Sequence, residues 1–131
     1  RAYADAQKDM ELALQLAPND TTLTPFYCTI LHKNGRSREA FDRLNIHISR
    51  LPHDLDALLT RAELYSEDKL YDQALLDYET ALKLAPNTPA FYIARARLYL
   101  RQGKRAMAKK ELNAMAKLPC AVRMSIEMLE K

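Results

Sequence analysis

A chain of 131 residues has the length of one compact domain. Apolar residues make up 48%, led by Ala and Leu, and with 2 Gly and no Trp the balance favours helix over strand and leaves almost no room for a glycine-rich phosphate loop. Charged residues at 28% and a net charge of +3 are ordinary for a globular chain, and no uninterrupted apolar run reaches the roughly 18 residues of a membrane span.

Two residue types recur with a fixed period. Ala6, Ala40, Ala74 and Ala108 stand 34 residues apart, and Pro18, Pro52, Pro86 and Pro119 follow at spacings of 34, 34 and 33. The chain opens at Arg1 inside a helical pattern, with neither an initiator Met nor a signal-like stretch, and reads as a piece of a longer protein. Residues 1–20 carry a single helix, with Ala6, Met10, Ala13, Leu14 and Leu16 at the positions that later units use in their second helix. Residues 21–54 form a degenerate unit. It keeps Gly35, Ala40, Leu44 and Pro52, but has Leu31 in place of an aromatic and His47 where Ala13 and Ala81 stand elsewhere.

Residues 55–88, LDALLTRAELYSEDKLYDQALLDYETALKLAPNT, are the most regular unit. Ala62 is the small residue of its first helix and Tyr65 the aromatic; Tyr71, Ala74, Tyr78, Ala81, Leu82 and Leu84 follow in the second, and Pro86 closes it. Residues 89–119 repeat the pattern with Tyr92, Ala96, Tyr99, Gly103, Ala108, Leu112 and Leu118, and Pro119 comes one residue early. The last segment, 120–131, has apolar residues on one broad arc and Arg123, Glu127 and Glu130 opposite. It is predicted as an amphipathic helix, either a cap or the start of a further unit. End signals agree with these limits: Asp54 precedes one first helix, and Asn87 or Thr88 the one that Pro89 starts. Pro25 falls in a first turn, and Gly35 and Gly103 fall in the turns between paired helices.

The unit at 55–88 resembles the tetratricopeptide-repeat consensus along its whole length, with a period near 34 and a terminal Pro. The resemblance implies an all-α fold, a right-handed superhelical solenoid of antiparallel helix pairs with about eight helices. It further implies a non-catalytic scaffold that holds a protein or peptide partner in a concave groove lined by first helices. Carried over by position, the groove residues are Thr22, Pro25, Thr29 and His32, then Asp56, Leu59, Glu63 and Ser66, then Ala90, Ile93, Arg97, Leu100 and Arg101. One subfamily clamps a terminal carboxylate with Lys and Asn. Here Pro25, Thr29, Leu59 and Glu63 stand where those would be sought, and Glu63 would repel such a ligand. Glu63 and Arg97, one period apart, either bind a partner or bridge neighbouring units.

Chemistry for catalysis is not expected. His32, His47 and His53 show no i, i+4 metal spacing, no HExxH or GxSxG occurs, and no cofactor or metal is implied. Cys28 and Cys120 match no metal or redox spacing and read as buried thiols. Charge is uneven. Residues 89–123 hold nine Lys or Arg and one Glu, a net of +8, whereas residues 55–88 hold three basic and seven acidic residues, a net of −4. The basic unit either coats solvent faces or recruits an anionic ligand, with Arg97 and Arg101 toward the groove and Lys109, Lys110 and Lys117 toward the outside. The terminal Pro and Tyr register disfavour the RNA-reading pentatricopeptide repeat, so nucleic acid is not expected, nor is membrane insertion. The alternatives are an accessory or self-assembly segment of a larger enzyme or assembly protein, and a homodimer through exposed end helices.

Overall fold

The computed structural model describes residues 2–18 and 20–118. Among these the protein has seven α-helices and no strand: α1 Ala2–Leu16, α2 Thr24–Lys33, α3 Ser37–Arg50, α4 Leu55–Glu67, α5 Tyr71–Leu84, α6 Pro89–Arg101 and α7 Arg105–Ala116, with a short 3-10 turn, Thr21–Leu23, ahead of α2. The helix expected over 120–131, with Cys120, lies outside the described residues. Packing is tightest within the pairs α2–α3, α4–α5 and α6–α7.

Three turns of one kind make those pairs. After α2 the Arg36 N–H donates to Leu31 O at 2.9 Å and the Gly35 N–H to His32 O at 3.1 Å. The same two bonds recur as Leu70 to Tyr65 (2.8 Å) with Lys69 to Ser66 (3.1 Å), and as Lys104 to Tyr99 (2.8 Å) with Gly103 to Leu100 (3.0 Å). This is the Schellman closure, which needs one left-handed residue. Gly35 (φ 80°) and Gly103 (φ 76°) take that conformation freely, while the middle turn places Lys69 there at φ 63°.

The pairs close around small residues. Cys28, Ala62 and Ala96 stand one period apart and are buried, each in one core cluster with Ala40, Ala74 or Ala108 of its partner helix. Cys28 is thus the counterpart of the small alanines, and burial pushes its thiol up to about 11. Larger side chains fill what remains: Leu31, Leu44 and Leu64 are fully buried, and Phe41 stacks on Tyr65 with ring centroids 4.7 Å apart.

A second set of contacts repeats with different chemistry at the same two positions. Arg43 lies over the Tyr27 ring at 5.1 Å. One period on, Arg61 grips Asp77 with two bonds, Nε to Oδ2 at 2.8 Å and Nη2 to Oδ1 at 2.6 Å. A further period on, Arg95 meets Glu111 at 3.1 Å. The first member also reaches back to the preceding unit: the Tyr27 hydroxyl donates to Glu11 at 3.1 Å and Arg61 Nη1 to Asn45 at 2.9 Å.

Capping follows the sequence at α4, where Asp54 Oδ1 accepts from the Asp56 and Ala57 amides. Its other oxygen lies 2.7 Å from Nε2 of the buried His47, so the large residue in a small-residue position has a polar partner. Thr88 holds the cap position of α6, but its side chain makes no capping bond.

Candidate functional site

The first helices α2, α4 and α6, with the 3-10 turn Thr21–Leu23 for Thr22, carry the expected groove residues. At the α2 end the side chains are largely occupied by their own chain. Pro25 is buried, Thr29 Oγ1 donates to Pro25 O at 3.2 Å, and the Thr22 amide donates to Asp20 at 3.0 Å. His32 serves the joint between units: Nε2 lies 2.9 Å from Asp68 Oδ1, and Nδ1 lies 3.3 Å from Glu67 Oε2. Beside it Lys33 pairs with Glu67 at 2.9 Å.

Two depressions open on this face. One, of about 350 Å3, gathers Thr22, Pro25, Thr29, Asp56, Leu59 and Glu63 with Phe26 and Thr60. The other, of about 240 Å3, lies between α4 and α6 and gathers Glu63, Ser66, Arg97 and Arg101 with Glu67, Tyr78, Ala94 and Leu98. Ala90, Ile93 and Leu100 line neither; Ile93 is half-buried, while Ala90 and Leu100 are exposed. Phe26, 61% exposed, and Tyr78, which reaches the second depression from α5, were not among the residues expected from the sequence. Phe26 follows Pro25 inside a first turn and was not at a consensus position. Tyr78 reads from its register as a core residue.

The electrostatics differ between the two joints. Residues 21–54 and 55–88 are tied by the His32 and Lys33 contacts to Glu67 and Asp68 and by Arg61 to Asn45. Between residues 55–88 and the described part of the basic unit, no ion pair within 4 Å forms among the described residues. Arg101 Nη1 bonds the buried Ser66 hydroxyl instead. Glu63 and Arg97 therefore line one depression without bridging it. Burial, with the Glu67 carboxylate adding to it, raises the Glu63 carboxyl above its ordinary value. Burial likewise pushes the Tyr78 hydroxyl up to about 12. On the outer side Lys109, Lys110 and Lys117 share one open depression on α7 with Asn113 and two alanines. No helix among the described residues is long and apolar enough to cross a membrane, and no group of three potential metal ligands occurs among them.

Comparison with known proteins agrees with this architecture. Residues 55–88 match the sequence profile of the tetratricopeptide repeat. A "DnaJ homolog subfamily C member 3 homolog" from Dictyostelium discoideum is 35% identical over 109 residues, covering 79% of this chain, and the chain spans 22% of that protein's length. Among solved structures, a tetratricopeptide repeat protein from Parabacteroides merdae superposes with a TM-score of 0.71 at 22% identity, over 89% of this chain and 47% of the other. MamA from Desulfovibrio magneticus gives 0.74 at 18% identity, over 89% and 66%. A thermophilic repeat protein from Thermus thermophilus gives 0.72 at 21%, over 96% and 74%. At such identities these structures share the fold.

Proposed function

Because this chain is a tetratricopeptide-repeat protein, we propose that its work is to hold a segment of another protein on the face made by α2, α4 and α6, with no catalytic step. The observation that carries this reading is what that face leaves uncovered. Its first helices bury one side in the core yet present Phe26, 61% exposed, in one depression with Glu63, and Arg97 in the next, and neither charge has an ion-pair partner within 4 Å among the described residues. Exposed apolar side chains beside unpaired charge on a concave surface are what a recognition surface needs.

An affinity pull-down compares the chain with a Leu59→Glu, Ile93→Glu, Arg97→Glu variant whose fold is first verified by circular dichroism. A partner captured by the first and lost by the second supports the groove. Capture by both moves the site to the outer face or the chain ends.

A second reading is self-association through α1. Leu16 is 79% exposed, and Leu12 and Tyr3 are also more than half exposed on that helix. Light scattering over a concentration series tests it: a dimer abolished by Leu12→Glu with Leu16→Glu supports self-assembly, and a concentration-independent monomer rejects it.

A further inference from the structure

The cleft between α4 and α6 has walls of opposite charge that do not close on each other. Glu63 and Arg97 stand one 34-residue period apart at the same repeat position, as do Glu67 and Arg101. Glu67 is shared with Lys33 and His32 of the preceding unit, and Arg101 is tied to Ser66. Among the described residues that leaves Glu63 on one wall and Arg97 on the other with neither a hydrogen bond nor an ion pair, beside an Arg101 held only by the neutral Ser66 hydroxyl, over a floor of Ala94, Leu98 and Tyr78. Both side chains are exposed, and opposite charges that do not meet each other gain from an occupant that supplies both counter-charges.

Size narrows the occupant. The depression of about 240 Å3 between α4 and α6 has room for side chains that enter from a segment laid across its mouth. An extended chain presents residues i and i+2 on the same side, about 7 Å apart, and can send two neighbouring side chains into one opening.

Resting on the groove reading above, we infer that this cleft recognises an extended protein segment carrying a Lys or Arg two residues from an Asp or Glu, the cation toward Glu63 and the carboxylate toward Arg97. A segment of uniform charge satisfies one wall and leaves the other repelled. The cleft therefore discriminates by charge pattern and not by net charge. A bare polyanion is a poor ligand, even though residues 89–123 carry a net charge of +8 (nine basic, one acidic).

The test uses four fluorescein-labelled nonapeptides, identical but for central Lys-Ala-Glu, Glu-Ala-Lys, Lys-Ala-Lys or Glu-Ala-Glu, titrated by fluorescence anisotropy. The better of the two mixed peptides is expected to bind about fivefold or more tighter than either uniform one, the ratio shrinking with added salt. Glu63→Lys should move the preference to Glu-Ala-Glu, and Arg97→Glu should move it to Lys-Ala-Lys. An unfolded variant cannot produce such a reversal. Equal binding of all four peptides overturns the charge-pattern proposal and leaves the groove reading standing. Binding of none does the same if the pull-down still captures a partner through the groove, and both readings fall if it does not.

Discussion

Replacing Arg61 with Met tests what holds a helix pair together. Asp77 is 5% exposed and its carboxylate accepts two bonds from the Arg61 guanidinium, at 2.8 and 2.6 Å. The Met side chain fills much of the Arg volume but supplies no donor, so a carboxylate stays buried without its cation. Breaking one side of a buried pair costs about 3–5 kcal/mol, and the bond to Asn45 is lost with it. Against a typical total of about 5–15 kcal/mol, the variant should lie near the edge of folding, with Tm lower by on the order of 10–20 °C. Urea unfolding followed by far-UV circular dichroism gives the number. The double variant Arg61→Met, Asp77→Leu removes the stranded charge and should recover to within about 1 kcal/mol of the starting protein. A single-variant loss below about 1 kcal/mol would refute the argument by showing the pair to be solvated. A double variant no better than the single would refute it too.

Three further outcomes follow from local geometry. Lys69→Gly relieves a left-handed lysine and should raise stability by up to about 1 kcal/mol, whereas Gly103→Ala at the equivalent turn should lower it by about 1–2 kcal/mol, both by urea denaturation. Asp54→Ala removes the α4 cap and the partner of His47 together and should cost about 2 kcal/mol, while Asp54→Asn keeps the cap and should cost less. Cys28, in a Cys120→Ser background, should resist alkylation at neutral pH until denaturant is added. From its ordinary value of 9.0 up to about 11 the unfolded chain gives up this proton while the folded chain keeps it. Stability therefore falls as pH rises through that window, and Cys28→Ala should flatten the slope.

What could be read in advance was whatever repeats as an identity. The alanines at 34-residue spacing mark where paired helices meet, Gly35 and Gly103 mark two of the three turns, and Asp54 marks a cap. What repeats as a position with changing chemistry could not be read. Tyr27–Arg43, Arg61–Asp77 and Arg95–Glu111 occupy the same two places, yet no one residue type holds either place in all three, and Asp77 in sequence passes for part of a solvated face. At the third turn Lys69 takes the left-handed place that Gly holds in the other two, and no glycine marks it. In the groove, transfer by position brought Glu63, Ser66, Arg97 and Arg101 to one depression. It took no account of neighbours that cover Pro25 or engage His32, because such neighbours come from other helices.

The unequal joints predict that the solenoid would bend first at the seam between α4 and α6, which packs less closely than that between α2 and α4. At the α4–α6 seam the second helix supplies the adhesion: Tyr78 packs with Leu98, and Ala81 and Leu82 pack with Phe91. The opposite lips meet at little more than Arg101 and Ser66. Bending there would change the width of the mouth while leaving the apolar backing in contact, and the stapled joint before it would resist more. A segment lodged between Glu63 and Arg97 would act as a splint, fixing the curvature of everything that follows it in the array.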